Sequence, residues 1–422
     1  MDALCVQARR PFLRHIATLV SGSALAQLIG LACAPVLTRL YTPEEFGLLG
    51  VFMAVVAVSI TIATLRYDLV VVLPKEDASA WSLLRLVGCW TLLAVLVAFV
   101  VLFPIRNRVA EALGTVGFAH YFVCLPLLVL VGGWLSLATH WAIRKKSFHA
   151  LSTTSVASSV FGNSYKIGFG WLGFGGGVLI VGSLIQQVMH LLVLGFQLRK
   201  GIPKGEYNSD AAWKLVKEHR SFPYFRMPQD ALNAFTIQLP NLILAAYYSP
   251  VIVGFYLLAQ RVLQAPIGVV RESVRSVMYQ RIAEAYNQGE NLYLICLKAT
   301  LSMATLIMPV VVLFSLIGPH LFHLIFGAEW EVAGVYARWL ILWAAVSFCN
   351  VPAVVAVPIV GLNQFLLKFE IISTLARSVA LIFAVRMFSA EIAIAVLALV
   401  ACVGNIMLIL MVFSRIRRGV AA

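Results

Sequence analysis

The sequence predicts an all-α integral membrane protein of about twelve transmembrane helices, grouped in two six-helix lobes. Three observations predict it: a composition too apolar for a soluble chain of this length, twelve apolar runs of bilayer length, and a motif that recurs six runs later. Of 422 residues, 61% are hydrophobic and 12% charged, outside the usual balance of water-soluble domains. A hydrocarbon layer of ~30 Å is crossed by about 20 apolar residues in a helix.

The first six runs lie near Ile16 to Leu37, Phe46 to Leu65, Leu83 to Phe103, Tyr121 to Trp141, Leu151 to Trp171 and Val178 to Leu198. Arg9, Arg10 and Arg14 precede the first run, and Ala32-Cys33-Ala34 has the form of a signal-peptidase site. Pro35 follows it directly and the run exceeds a usual signal core, so a retained helix is expected. A polar stretch comes next, within which Ala211 to Glu218 has the pattern of a short interfacial helix. Six further runs lie near Ala231 to Tyr248, Val251 to Val270, Leu292 to Ile317, Ala333 to Val360, Leu366 to Phe388 and Ile392 to Phe413.

Thr42-Pro43-Glu44-Glu45-Phe46-Gly47, after the first run, is echoed by Ser249-Pro250-Val251-Ile252-Val253-Gly254 after the seventh. An even number of crossings separates the copies, so the halves share an orientation and are related by a pseudo-two-fold along the membrane normal. The expected division is an N-terminal lobe over residues 1–200, a cytoplasmic linker over 201–228 and a C-terminal lobe over 229–422.

The net charge of +14 suggests an anionic partner, but the basic residues cluster between the apolar runs. There they read as topology signals and not as a nucleic-acid surface. With the N-terminus in the cytoplasm, 23 Lys and Arg fall on that side and 4 on the other (Arg39, Arg106, Arg108 and Arg386), which predicts cytoplasmic termini. The opposite connections are short, leaving no room for an external domain. The seven cysteines are scattered without metal-type spacing, and no nucleophile-elbow, zinc-protease or nucleotide-loop motif occurs. A catalytic role is therefore not expected.

Lys166, Arg261 and Arg377 fall well inside apolar runs. A central cation disfavours insertion by roughly 3 kcal/mol, so such residues face a wet cavity or a partner, and the ligand they suit is anionic. Arg261 presents a planar donor fork with Gln264 one turn away, just before Pro266, which is expected to disturb the helix locally. Satisfaction by carbonyls or a carboxylate in the bundle is the alternative. Lys166 follows Asn163 in the most polar of the runs, which either lines water or packs closely through its small residues. Glu370 and Arg377 share a helix face roughly 10 Å apart, too far to pair directly. Structural pairing across helices and ligand contact are both open for them. Arg66 and Asp68 end the second run, where they pair locally or guard a cytoplasmic entrance. Arg271, Arg275 and Arg281 form a strip read equally well as headgroup contacts or as topology charge.

Several segments carry a family resemblance. They are Gly22 to Gly47 with Leu37-Thr38-Arg39-Leu40-Tyr41, Leu65-Arg66-Tyr67-Asp68 through Pro74, Phe222-Pro223, Leu258-Ala259-Gln260-Arg261-Val262 through Pro266, and Phe326-Gly327-Ala328-Glu329-Trp330. Together they resemble the polysaccharide repeat-unit flippases, the O-antigen and capsule translocases of the exporter superfamily that includes multidrug and toxin extruders.

The resemblance implies an inner-membrane flippase without enzymatic activity. It would move an undecaprenyl-diphosphate-linked oligosaccharide from the cytoplasmic to the periplasmic leaflet by alternating access. Its partners would be the polyprenyl-diphosphate-linked glycan, membrane lipids and polysaccharide polymerase machinery. No cofactor is implied, and coupling to a proton or sodium ion stays open. Arg261, Lys166 and Arg377, with Arg66, Gln264 and Asn163, are the substrate-binding candidates by position, and Glu370 and Asp68 the structural or coupling ones. A multidrug or cation antiporter of the same superfamily would call for buried carboxylates, whereas Glu370 is the only acidic residue expected well inside a span. A polysaccharide polymerase or ligase would call for a large external loop.

Overall fold

The computed structural model describes residues 22–112, 121, 123–203 and 207–419, and every regular element among them is helical. In chain order these are α1 (Gly22–Leu40), α2 (Pro43–Ala63), α3 (Asp77–Ala112), α4 (Cys124–Arg144), α5 (Phe148–Trp171), α6 (Gly177–Leu198) and the short α7 (Ser209–Glu218). There follow α8 (Met227–Tyr247), α9 (Pro250–Asn287), α10 (Leu292–Phe326), α11 (Glu331–Cys349), α12 (Val351–Ile359), α13 (Asn363–Met387) and α14 (Ala390–Gly419). Arg9, Arg10 and Arg14 lie outside the described residues.

Over the described residues each apolar run becomes helical, with two corrections. The first run is interrupted by a turn at Cys33, and Pro35 lies in the first turn of the segment Ala34–Leu40 that follows. The tenth, expected to be continuous, is broken at Asn350 into α11 and α12. Pro352 lacks the N–H that the Phe348 carbonyl would receive, which weakens the helix there. Pro266 does less than expected, since α9 runs through it without interruption. Its local effect is the missing N–H for the Val262 carbonyl. Nine helices among the described residues are long and apolar enough to cross a bilayer. The remaining long ones, α5, α8 and α13, are more polar, and α5 and α13 carry Lys166 and the Glu370–Arg377 stretch.

The repeated motif does the same work twice. Thr42 accepts the Glu45 N–H at 3.4 Å while the Glu45 carboxylate accepts the Thr42 N–H at 2.9 Å. With Pro43 in the first turn, this reciprocal cap starts α2. Ser249 is extended and Pro250 opens α9 in the same manner, though without a side-chain cap. Gly47 and Gly254, four residues beyond each proline, are both buried.

By internal contacts the chain divides into two compact units, with the boundary between Ala246 and Tyr247. In the first, Leu83 and Val87 of α3, Leu137 and Trp141 of α4 and Leu194 of α6 form one core cluster. The interfacial helix expected near Ala211 is α7, and it is bound to this unit. Ala212 and Val216 are buried, Trp213 meets Trp90 edge-on at 5.5 Å, and the Tyr67 hydroxyl donates to the Val216 carbonyl at 3.1 Å. In the second unit, Gly327 ends α10 at φ 107°, a conformation that favours glycine. The short turn that follows sets Trp330, 1% exposed, edge-on against Phe255 at 5.9 Å. At its far end α9 is tied back by Arg281, whose guanidinium donates to both oxygens of Glu290 at 3.0 and 2.5 Å. Those bonds hold the Glu290 carboxyl below its usual range, so the brace persists at neutral pH and loosens as pH falls through the lowered value.

Candidate functional site

Within the second unit, α9, α11, α12, α13 and α14 surround a cavity of about 300 Å³. Its charged lining consists of Arg271 and Arg275 from α9 and Glu370 and Arg377 from α13, three guanidinium groups against one carboxylate. No ion pair joins these four to one another or to any other acidic group among the described residues. Arg377 is half-buried, and its Nε donates to the Ser373 carbonyl at 3.2 Å while a terminal nitrogen donates to the Thr374 hydroxyl at 3.2 Å. Both bonds return to its own helix, and no carboxylate among the described residues forms an ion pair with it.

The neutral lining is polar where the helix is broken. Asn350, 4% exposed, donates through Nδ2 to Asn405 Oδ1 on α14 at 3.0 Å, and Asn405 donates in turn to the Ala401 carbonyl at 2.8 Å. Asn350 Oδ1 and Arg271 Nε are buried without a hydrogen-bond partner. Unsatisfied buried polar atoms are costly, so the cavity combines excess positive charge with unmet hydrogen bonding. In a poorly solvated setting a guanidinium fork attracts carboxylate or phosphate oxygens strongly. The arrangement suits an anion.

The sequence candidates divide into four places. Arg377 and Glu370 line this cavity. Arg261 and Gln264 are exposed on α9, and Gln264 lies seven residues from Arg271, hence on nearly the same face. Lys166 and Asn163 belong to the packed contact of α5 with α6. Lys166, 9% exposed, donates to Gln186 Oε1 at 3.3 Å, and Asn163, 4% exposed, donates to the Ser159 carbonyl at 2.7 Å. A Cβ at Gly182 would stand 2.7 Å from Lys166 Cγ, so this glycine makes room for the lysine stem.

Arg66 and Asp68 form the fourth place, where a turn after α2 leads into the four-residue helix Tyr67–Val70. Leu65 and Arg66 both adopt left-handed conformations, at φ 48° and 58°. Such backbone costs of order 1–3 kcal/mol per residue and persists where the surroundings fix it. Arg66 Nε donates to Asp230 Oδ2 on α8 at 2.6 Å. Asp68, fully buried, accepts from the Ser136 hydroxyl at 2.6 Å and lies 3.6 Å from Arg66 and 3.7 Å from His140. A double-mutant cycle on Arg66 and Asp230, read by thermal unfolding in detergent, is expected to give a coupling of about 1–2 kcal/mol. Additive single losses would remove the bond from any structural role.

The residues missed as site candidates are Arg271, Arg275, Asn350 and Asn405. For the two arginines a signal existed: Gln264, Gly268, Arg271 and Arg275 recur on one face of α9. For Asn350 it lay in Pro352, which marks the break beside it; for Asn405 the sequence held no signal.

A family model described as polysaccharide biosynthesis protein matches residues 36–334. The chain belongs to this polysaccharide biosynthesis family. A curated relative, the succinoglycan biosynthesis transport protein ExoT of Rhizobium meliloti (strain 1021), is 24% identical over 303 residues. That match covers 71% of this chain and 59% of the relative, so the chain spans well under two thirds of that protein's length. Among solved structures, the lipid II flippase MurJ in an inward closed conformation superposes with a TM-score of 0.70 at 12% identity, over 94% of this chain and 87% of that one. An inward-facing multidrug resistance MATE family transporter of the MOP superfamily gives a TM-score of 0.64 at 14% identity, over 96% and 94%. At these identities the likeness establishes the fold: the all-α, two-lobed membrane architecture expected from the sequence.

Proposed function

We propose that this polysaccharide biosynthesis protein is a flippase. It moves an undecaprenyl-diphosphate-linked oligosaccharide repeat unit from the cytoplasmic to the periplasmic leaflet of the inner membrane by alternating access, with both termini cytoplasmic. The observation that carries the reading is the cavity in which Arg271, Arg275 and Arg377 face one carboxylate, Glu370. A diphosphate meets that need, and its glycan is the class of cargo the family description and the transport relative both suggest. A cation or multidrug antiporter would require the opposite sign at its binding site.

In this mechanism Arg377, deepest along α13, and the Arg271–Arg275 pair hold the diphosphate. Arg261 and Gln264 extend the same track along α9. Lys166 and Asn163 fix the α5–α6 contact and add positive potential in the N-terminal lobe. Arg66, Asp68 and Asp230 close the inner end of α2 against α8. In this reading the lobes follow the repeat, the second running from residue 229 to 422, although α8 up to Ala246 packs within the first compact unit. With the cytoplasm negative, exporting two negative charges gains roughly 4.6 kcal/mol per 100 mV, a driving force available without a counter-ion. Polymerase machinery would receive the glycan on the far side.

Deleting the gene tests this reading. The lipid-linked glycan is expected to accumulate on the cytoplasmic leaflet while surface polysaccharide falls, with recovery on complementation. Undiminished surface polysaccharide, or accumulation on the outer leaflet, would overturn it.

A further inference from the structure

A second concavity, in the first unit, has the opposite character. Between α3, α4 and α6 runs a groove of about 730 Å³ whose walls are almost wholly apolar, with Leu84, Leu137 and Leu191 among them. The indole faces of Trp81, Trp134 and Trp141 complete it, and the Trp134 N–H is already spent on the Gly88 carbonyl at 3.2 Å. Gly195 leaves the α6 wall open, since a Cβ there would meet nothing within 4 Å. In a membrane such a groove is filled by hydrocarbon.

Positive charge gathers at one end. Arg85 lines the groove, is exposed, and stacks over Trp81 at 5.7 Å with no acidic partner among the described residues. Lys145 lies over Trp141 at 5.1 Å, and its stem passes beside Gly201, where a Cβ would be 3.9 Å away. Arg199 and Lys200 sit in the turn between the lining residues Leu198 and Ile202. Asp77 is the local acid, and it is engaged by Arg144 at 2.8 Å and by Lys145. Arg85 thus stands at the cationic end of an apolar groove, with no carboxylate among the described residues paired to it.

We infer that this groove is a binding site for an anionic glycerophospholipid, its acyl chains lying along α3, α4 and α6 and its phosphate held by Arg85. An aromatic belt and ordinary topology charge account for tryptophans and arginines at an interface. They do not account for a groove of ligand size ending at a cation that no carboxylate among the described residues engages. The inference is independent of the flippase reading and of the cavity in the second unit.

The test uses the full chain in nanodiscs of phosphatidylcholine with a minority of phosphatidylglycerol, followed by native mass spectrometry of retained lipid. Preferential retention of phosphatidylglycerol is expected, and Arg85→Ala should reduce it about tenfold, the scale of one charge-assisted hydrogen bond. Gly195→Phe, placed where a side chain meets no neighbour, should displace the lipid while leaving the fold intact. Exposed Cys89, also in the lining, gives a second readout: its alkylation should slow at least about threefold with phosphatidylglycerol present. Equal retention of the two phospholipids, no effect of Arg85→Ala, or preferential retention of added undecaprenyl phosphate would each overturn the assignment.

Discussion

Replacing Arg377 by alanine is expected to lower glycan export by about tenfold to a hundredfold at equal protein abundance, the worth of one or two charge-assisted hydrogen bonds to a phosphate. The side chain is half-buried beside Glu370 yet bonded only to its own helix, at Ser373 and Thr374. No ion pair among the described residues holds it, so its removal should leave the fold largely undisturbed and act on the ligand. Lysine at this position should restore part of the activity, because it keeps the charge and loses the planar fork. Arg386→Ala is the control: that arginine is exposed and reaches only the Tyr247 hydroxyl, at 3.3 Å. The readout is surface polysaccharide against immunoblotted protein. Normal export from Arg377→Ala would detach the second-unit cavity from transport.

The second large effect concerns stability. Trp330→Ala should destabilise the protein by about 3–5 kcal/mol, the usual result of truncating a fully buried aromatic side chain. Trp330 is 1% exposed and packs edge-on against Phe255, which in turn meets Tyr336 at 6.3 Å. The ring therefore joins the start of α11 to α9. A lowered melting temperature in detergent and a smaller monodisperse fraction on size exclusion are the expected observations. An unchanged melting temperature would mean that the aromatic cluster contributes little.

These cases indicate what could be read from the residues. Helix number and order were legible because bilayer length and apolar composition are both written in sequence. The start of α9 was legible because Ser249-Pro250 repeats the logic of Thr42-Pro43. The Phe326 to Trp330 segment could be recognised as a family feature, but its role could not: only the fold shows that Gly327 turns Trp330 onto Phe255. The deep position of Arg377 followed from its place in an apolar run. Its companions Arg271 and Arg275 read equally well as headgroup contacts or topology charge, since a basic helix end looks the same whether it faces headgroups or a cavity. Lys166 illustrates the converse. From sequence it reads as lining water or as packed through small residues, and in the fold Gly182 and Gln186 stand beside it in a helix contact. Pairing between distant helices, as of Asn350 with Asn405, leaves no trace in a single sequence.

The length of α9 has a bearing on how cargo is loaded. Its 38 residues extend about 57 Å, nearly twice the ~30 Å hydrocarbon thickness. Arg271 lies roughly 32 Å along the axis from Pro250, close to the ~30 Å that separates the two faces of the hydrocarbon layer. In the proposed transport cycle a sugar-bearing headgroup would slide sideways onto these arginines while still hydrated, with its isoprenoid tail among the acyl chains, and shed water only as it advances toward Arg377.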